Sequence, residues 1–262
     1  MQTILMQACL LILALWQQMG RITLEQMRSV KLMNRIDTKY VTTMPMLIKL
    51  LEIAQPEYMV QSIDGSLNMP YYTLYFETDD AHMYMEHLRG RKRRQKIRIR
   101  KYVHSDTAFL EIKNKNNKGR TSKKRIDYIE GNTAEQEQFI NEKANYAYSD
   151  LSKRIENKFS RITLVNKGKT ERLTIDTDLR FHNLKNNESC AVEGLVIIEH
   201  KRDGNVYSPI SAILNQLRIF PAKFSKYCMG MALTDSTLKR NRFKERLRMV
   251  RKICNVNNNI NF

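Results

Sequence analysis

The side chains of this sequence that could do chemistry are mainly basic ones, and they recur at every second position. In Lys96-Ile97-Arg98-Ile99-Arg100 bases alternate with isoleucines, and Lys123 and Arg125 have the same spacing. Because side chains of a β-strand alternate between its two faces, this spacing puts the bases on one face and the apolar residues on the other. The guanidinium of Arg and the ammonium of Lys both bind phosphate oxygens. The pattern therefore predicts strands with a phosphate-binding face.

Carboxylates occur on the same faces at fewer positions. Glu111 shares a face with Lys113, and Glu199 shares one with Lys201. Asp176 lies two residues after Thr174 and four residues after Arg172, which puts all three side chains on one face. A carboxylate among phosphate-binding bases is chemically reasonable if it holds a divalent metal that bridges phosphates.

The charge of the whole chain restricts its partners. Of its 262 residues, 45 are Lys or Arg and 27 are Asp or Glu, a formal net charge of +18. Such a field attracts polyanions: nucleic acid, an anionic membrane or phosphate chains. Charge alone favours nucleic acid, but the basic strand faces lack the interleaved aromatic residues that stack on bases, so no nucleic-acid partner is expected. The four isolated cysteines, without CxxC spacing, suit a reducing interior and predict a cytoplasmic protein.

The elements that must position these residues are strands with helices between them. The turns near Gly119 and Gly168 predict two hairpins. Gly168-Lys169-Thr170 resembles the end of a Walker A loop, but that motif needs a glycine five residues earlier, where this chain has Thr163, so we interpret the segment as a turn. Strands are predicted at 69–77, 95–103, 109–115, 121–129, 158–165, 171–177 and 195–201. Helices are predicted at 43–52, from an Asp79 cap to before Gly90, from a Thr133/Gln136 capping box to 148, from Ser208-Pro209, and at 238–253.

The two ends of the chain differ in composition from its middle. Residues 4–16 are apolar apart from Gln7, but they are too short to span a bilayer and lack the features of a signal peptide. A packed helix is the favoured interpretation, and membrane contact is the alternative. The predicted organisation is an N-terminal apolar helical segment at 1–21, a single domain at 22–254 and an Asn-rich tail at 255–262.

Two arrangements of the strands remain open at this point. The charged faces could lie in solvent on a half-buried sheet, or they could line the inside of a closed barrel whose apolar outside is covered by helices. Two like charges about 4 Å apart repel by about 4 kcal/mol at an effective dielectric constant near 20. Several such pairs would exceed the usual net stability of about 5–15 kcal/mol unless an anion filled the interior.

An ordered series of short motifs adds a resemblance. The sequence resembles the VTC (vacuolar transporter chaperone) domain from about Ile22 to Met231, where the order and spacing of the motifs match that family. The motifs are Asn34-Arg35-Ile36-Asp37-Thr38-Lys39-Tyr40-Val41, Tyr75-Phe76-Glu77-Thr78, Lys96-Ile97-Arg98-Ile99-Arg100, Leu110-Glu111-Ile112-Lys113, Gly119 with Lys123-Lys124-Arg125, Arg172-Leu173-Thr174-Ile175-Asp176-Thr177, Ile198-Glu199-His200-Lys201 and Pro221-Ala222-Lys223-Phe224-Ser225-Lys226-Tyr227.

The resemblance implies an α+β fold: a closed antiparallel β-barrel, the triphosphate tunnel, with a basic lumen and covering helices. Family members make polyphosphate from ATP with a divalent metal, typically manganese, for which magnesium could substitute. By similarity, Glu199 would bind the metal, and Lys223, Ser225 and Lys226 would bind phosphate. The catalytic cations would be Lys39, Arg98, Arg100, Lys113, Lys123, Arg125, Arg161 and Arg172.

The function expected from this resemblance is ATP-dependent polyphosphate polymerase, with ATP or another nucleoside triphosphate and polyphosphate as partners. Related hydrolytic members carry paired glutamates on the first strand, where this chain has Arg35-x-Asp37-x-Lys39, and this favours the polymerase. A triphosphate hydrolase and a non-catalytic polyphosphate-binding module are the alternatives. The basic helix at 238–253 is either solvated or docks on an acidic partner or a membrane surface, which leaves room for a membrane-associated partner.

Overall fold

The computed structural model describes residues 15–27, 35–204 and 206–254, and their strands form one sheet. The strands are β1 Gly20–Thr23, β2 Arg35–Thr43, β3 Tyr58–Ser62, β4 Met69–Thr78, β5 Arg94–Tyr102, β6 Thr107–Lys115, β7 Thr121–Asp127, β8 Leu151–Asn166, β9 Glu171–Asn183, β10 Ser189–Val192 and β11 Leu195–Asp203. The helices with assigned bounds are α1 Leu24–Met27, α2 Met44–Ala54, α3 His82–Arg89, α4 Thr133–Lys143, α5 Pro209–Gln216, α6 Lys226–Thr234 and α7 Lys244–Cys254.

The main path of the sheet runs in the order β2-β11-β9-β8-β4-β5-β6-β7, and all of these neighbours are antiparallel. Three short strands join from the side: β10 on β9, β3 on β8, and β1 parallel to β3. Both predicted hairpins are confirmed, as β6–β7 and β8–β9. Gly119 turns the first with a φ of 79°, a conformation that favours glycine.

The predicted closure into a barrel is wrong. In the described part of the chain, β2 pairs only with β11 and β7 pairs only with β6, so the path has two free ends. The free edge of β2 is continued instead by the segment before α6: Pro221 forms a bridge to Tyr40, and Ala222 N donates to Lys39 O at 2.7 Å. This segment thus engages backbone groups of Lys39 and Tyr40 at the edge of β2 that a β2–β7 ladder would use.

Helices cover the apolar side of the sheet, as the alternating pattern requires. Leu47, Leu50 and Leu51 of α2 are fully buried in a core that includes Ile175 of β9 and Ile198 of β11. A second core holds the isoleucines that alternate with the bases of β5, together with residues of α4, α6 and α7. The first core lies on the side opposite the bases, whereas the second also includes residues of the same side as the bases, such as Tyr75 and Phe159.

Some predicted helix boundaries are confirmed and others are wrong. Ser208 is the N-cap of α5, as predicted, and its Oγ accepts from Ser211 N at 3.2 Å. Asp79 does not cap α3, since Thr78 Oγ1 accepts from His82 N at 2.8 Å. The Thr133/Gln136 capping box does not form, and α4 ends at Lys143 instead of 148. The last helix begins at Lys244, six residues later than predicted, after a 3-10 turn at Asn241–Phe243.

The ends of the chain are described only in part. Residues 15–18 are helical, and Trp16 and Met19 are buried in the same core as α2. The rest of the predicted N-terminal segment and the Asn-rich tail lie outside the described residues, and the domain boundaries stay predictions. Among the described helices, none combines the length and the apolar character needed to cross a membrane.

Candidate functional site

Strand register brings the predicted cations of the strands onto one face of the sheet. Residues directly opposite each other in neighbouring strands point to the same face. The pairs Lys39↔Glu199, Glu199↔Thr174, Thr174↔Thr163 and Arg161↔Met69 lead from β2 to β4. The pairs Tyr75↔Arg98, Arg98↔Glu111, Glu111↔Arg125 and Lys113↔Lys123 lead on to β7. We call this side the basic face; it carries Lys39, Arg98, Arg100, Lys113, Lys123, Arg125, Arg161, Arg172 and Glu199.

An ion-pair cluster on β8, β9 and α6 joins two of the predicted cations. Arg161 Nε and Nη2 donate to the two oxygens of Asp176 at 2.5 and 2.8 Å, and Lys226 Nζ donates to the same carboxylate. Burial alone would raise the pKa of Asp176, but the charges of Arg161 and Lys226 hold it well below its usual range. Asp176 is therefore a fixed anion that holds two cations side by side.

A second cluster lies on the β5–β6–β7 part of the basic face. Arg98 donates through Nε and Nη2 to Glu111 Oε2 at 2.8 and 2.5 Å, and Lys123 Nζ donates to Glu111 Oε1 at 3.0 Å. Burial raises the pKa of Glu111, but the charges of Arg98 and Arg100 outweigh this effect and lower the pKa to about 2. Glu111 is fully buried and thus orients Arg98 and Lys123 while leaving their remaining N–H groups for a ligand.

Arg100 lies between these clusters, and no carboxylate of the described residues forms a hydrogen bond with it. Its Nε is buried and makes no hydrogen bond, and its guanidinium carbon lies 5.9 Å from the centroid of the Tyr71 ring. Burial and the neighbouring charges of Arg98 and Arg161 lower the pKa of Arg100. A buried N–H group without an acceptor costs about 1–3 kcal/mol, and an anion would remove that cost.

Two lysines of β5 and β6 are held in the same crowded positive field. Burial, followed by the charges of Arg98 and Arg100, lowers the pKa of Lys113 to about 6. Burial and the charges of nearby cations lower the pKa of Lys96 to about 8. Lys96 Nζ donates to Ser225 Oγ at 2.8 Å and so connects β5 to the N-cap of α6.

The three residues predicted from the segment around α6 have different surroundings. Lys226 joins the Asp176 cluster and also lies 3.9 Å from the centroid of the Phe159 ring. Ser225 is the N-cap of α6, and its Oγ accepts from Cys228 N at 3.3 Å. Lys223 is exposed, and its charge contributes to the lowered pKa of Lys115 at the end of β6. The structure thus brings Lys226 and Ser225 to the basic face and places Lys223 near its border.

The predicted metal ligand, Glu199, lies between cations. Lys201 Nζ lies 3.1 Å from Glu199 Oε1, and Lys39 is its cross-strand neighbour. Although burial raises it, the pKa of Glu199 is held well below its usual range by Lys201, Lys39 and Arg161. In the described residues no group of three His, Cys, Asp or Glu side chains could hold a metal. Glu199 would offer a divalent metal one carboxylate group, and phosphates and water would have to supply the remaining oxygen ligands.

Aromatic rings lie on the basic face, contrary to the expectation from sequence. Arg98 lies 6.0 Å from the Tyr75 ring centroid, and Arg125 lies 4.3 Å from that of Phe109. Arg161 lies within 5.3 Å of the Phe159 ring centroid. Tyr75 and Phe159 are buried, so these two rings support guanidinium groups and do not offer a surface for stacking bases.

Sequence reasoning missed the carboxylates that organise the cations. Asp176 and Glu111 were placed on the charged faces, but nothing in their spacing marked them as partners of Arg161 and Arg98. It also missed Glu77, which is fully buried and accepts hydrogen bonds from the Tyr227 hydroxyl and from the backbone N–H groups of Met83 and Tyr84. The usable signal for Glu77 was an acidic residue at the end of an apolar strand.

Comparison with known proteins adds four findings. A family model for the VTC domain matches residues 34–235. Among solved structures, the chain is similar to a proposed adenylate cyclase from Vibrio parahaemolyticus, with 10% identity, a TM-score of 0.45, and 76% of this chain and 97% of that chain covered. It is also similar to a proposed adenylyl cyclase from Hippeastrum with a dominant triphosphatase activity. Here the identity is 13%, the TM-score is 0.44, and the match covers 77% of this chain and 97% of that chain. Comparison with curated proteins found no match.

Proposed function

Because the chain belongs to the VTC domain family, we propose that it is an ATP-dependent polyphosphate polymerase working on its basic face. The observation that carries this proposal is the set of cations contributed by strands from β2 to β7, more numerous than the carboxylates among them. The partnerless Nε of Arg100 lies within this set. A row of phosphates supplies the negative charge and the acceptor oxygens that such a surface lacks.

The chain's own residues would act by positioning and neutralising charge, which is most of what phosphoryl transfer requires. Arg98, Arg100 and Arg161 would bind the phosphates of the nucleotide, with Glu111 and Asp176 holding two of these guanidinium groups in place. Lys39 and Lys226 would bind the end of the growing chain. We assign Glu199 to a divalent metal, manganese or magnesium, which would neutralise charge on the phosphates when bound.

The proposed reaction needs no side-chain nucleophile. A terminal oxygen of the growing polyphosphate forms a bond to the γ-phosphorus of ATP, and the bond from that phosphorus to the β–γ bridging oxygen breaks. ADP leaves with the electron pair of that bond, and the chain is one phosphate longer. An anionic oxygen is already deprotonated, so no general base is required, in contrast to hydrolysis by water.

The test is to incubate the protein with ATP and manganese or magnesium and to separate the products on a gel. We expect ADP and a polymer of phosphate. Lys226→Ala should shorten or abolish the polymer, because it removes a cation from the proposed chain path, whereas Lys124→Ala, on the opposite face of β7, should not. Release of orthophosphate alone, under every metal and primer condition, would refute the polymerase and support a hydrolase on the same face.

A further inference from the structure

A cleft of about 500 Å³ lies at one end of the β5–β6–β7 part of the sheet. It is formed by the start of β5, the end of β6 and the start of β7. The last residue of α4 and the segment just after it form another side. Residues from both faces of the strands line it, so the cleft extends around the end of the sheet. None of its residues is among the predicted catalytic or phosphate-binding ones. We call it the rim cleft; its lining includes Arg93, Arg94, Lys115, Arg120 and Lys143.

Among the residues that the structure describes, those lining the rim cleft carry positive charge and include no carboxylate. Its other side chains are neutral polar ones, mainly Asn, Gln, Ser and Thr. One carboxylate, Glu142, pairs with Lys143 at 3.0 Å, but it is the neighbouring residue on α4 and not part of the lining. A cleft that lacks both carboxylates and large apolar side chains is suited to a multiply charged anion and not to an apolar ligand.

The floor of the rim cleft is fixed by a buried glutamine. Gln95 is 6% exposed; its Nε2 donates to Asn114 Oδ1 at 2.6 Å, and its Oε1 accepts from Asn145 N at 2.7 Å. With its oxygen engaged by Gln95, Asn114 has N–H groups left to offer, which again suits an anion. Asn116 Oδ1 accepts from Arg120 N at 2.9 Å and so holds the turn that carries Arg120.

The rim cleft is continuous with the basic face. Lys96, Lys113 and Lys123 form one cross-strand row of that face, and the next row in the same direction is Arg94, Lys115 and Thr121, two residues along each strand. Two residues of a strand span about 7 Å. Burial, Arg94 and then Lys223 lower the pKa of Lys115, so the cations of this second row repel one another and would be stabilised by an anion.

We propose that the rim cleft binds the part of a linear polyphosphate chain that extends beyond the basic face. This deepens the proposed function and rests on it: the substrate and product would be chains too long for the basic face alone, and the rim cleft would give the protein a higher affinity for them than for tripolyphosphate. Residues Arg93, Arg120 and Lys143 would contact only the longer chains.

The experiment compares the binding of tripolyphosphate and of long-chain polyphosphate by calorimetry at fixed salt. The variant Arg93→Gln/Arg120→Gln/Lys143→Gln removes three cations from the rim cleft. A matched control, Lys153→Gln/Lys158→Gln/Arg180→Gln, removes three exposed cations of β8 and β9. We expect the cleft variant to lose about tenfold in affinity for the long chain, because each exposed contact contributes little by itself, and to bind tripolyphosphate as the unmodified protein does.

Four results would overturn this proposal. Unchanged long-chain affinity in the cleft variant would show that the chain does not reach the rim cleft. An equal loss in the control would show a general effect of net charge. An equal loss for tripolyphosphate would show that the rim cleft binds short anions in its own right. If the unmodified protein bound neither anion, the proposed function itself would fail, and the rim cleft proposal with it.

Discussion

Lys113 should take up a proton when a phosphate anion binds to the basic face. Its pKa is lowered to about 6 by burial and by Arg98 and Arg100, so at pH 7 only about one tenth of the molecules carry a charged Lys113. An adjacent phosphate favours the charged form and raises this pKa, so binding at pH 7 should take up about 0.9 proton at this site. Because the complex then holds more protons than the free protein, this site makes the affinity fall as pH rises above about 6.

The assay is calorimetric titration with tripolyphosphate at pH 7 in two buffers that differ in ionisation enthalpy. The dependence of the measured enthalpy on the buffer gives the number of protons taken up. Lys113→Arg keeps a positive charge that does not titrate, so it should bind the anion while taking up about 0.9 proton fewer than the unmodified protein. The titration of the ligand itself is the same for both proteins and cancels in the difference.

Lys124→Arg is the matched control, since Lys124 lies opposite Ile112 on the other face of β7 and should leave the proton uptake unchanged. Lys226 has a pKa of about 7, so it also takes up protons on binding, and this contribution is common to all the variants compared. Equal proton uptake by the unmodified protein and Lys113→Arg would refute the reasoning, because Lys113 would then be either charged in the free protein or distant from the anion.

Three further outcomes test the carboxylates and the helix that borders the site. Glu199→Gln should abolish polymer formation with manganese and largely preserve tripolyphosphate binding. Normal polymer formation by this variant would show that another carboxylate binds the metal. Asp176→Asn should lower the free energy of unfolding by about 3–5 kcal/mol, since Arg161 loses its buried partner, and tripolyphosphate should restore more stability to it than to the unmodified protein. An equal gain in both proteins would contradict this. Gly230→Ala should cost about 1–3 kcal/mol in denaturant unfolding, because its Cβ would lie 2.7 Å from the Phe181 ring, and unchanged stability would show that α6 can shift.

Seven of the eleven strands in the described residues, and the residues on each face of these seven, could be predicted from the sequence. Alternation is a local property of a strand, so Lys96, Arg98 and Arg100 must share a face wherever the strand lies. The hairpins were equally local, because a glycine turn such as that at Gly119 needs only its neighbours. The resemblance to the VTC domain, confirmed by the family match, was likewise carried by short segments in order.

Helix starts were predicted less well, because several candidate caps compete within a few residues. Asp79 and Thr78 are adjacent, and either can accept a hydrogen bond from the first turn of a helix. Thr78 does so, since His82 N lies 2.8 Å from its Oγ1. The actual start of α3 depends on Glu77, whose buried carboxylate accepts from the N–H groups of Met83 and Tyr84 and from Tyr227, far along the chain.

The sequence by itself determined that a basic face exists and which strand residues belong to it. Only the tertiary structure decided whether the sheet closes, because alternation is the same in an open sheet and in a barrel. The contact of Ala222 with Lys39 at the free edge of β2 joins residues far apart in sequence, so no local pattern predicts it. The same holds for the pairing of Asp176 with Arg161: charge state and orientation follow from which groups share a buried space, and packing alone sets that.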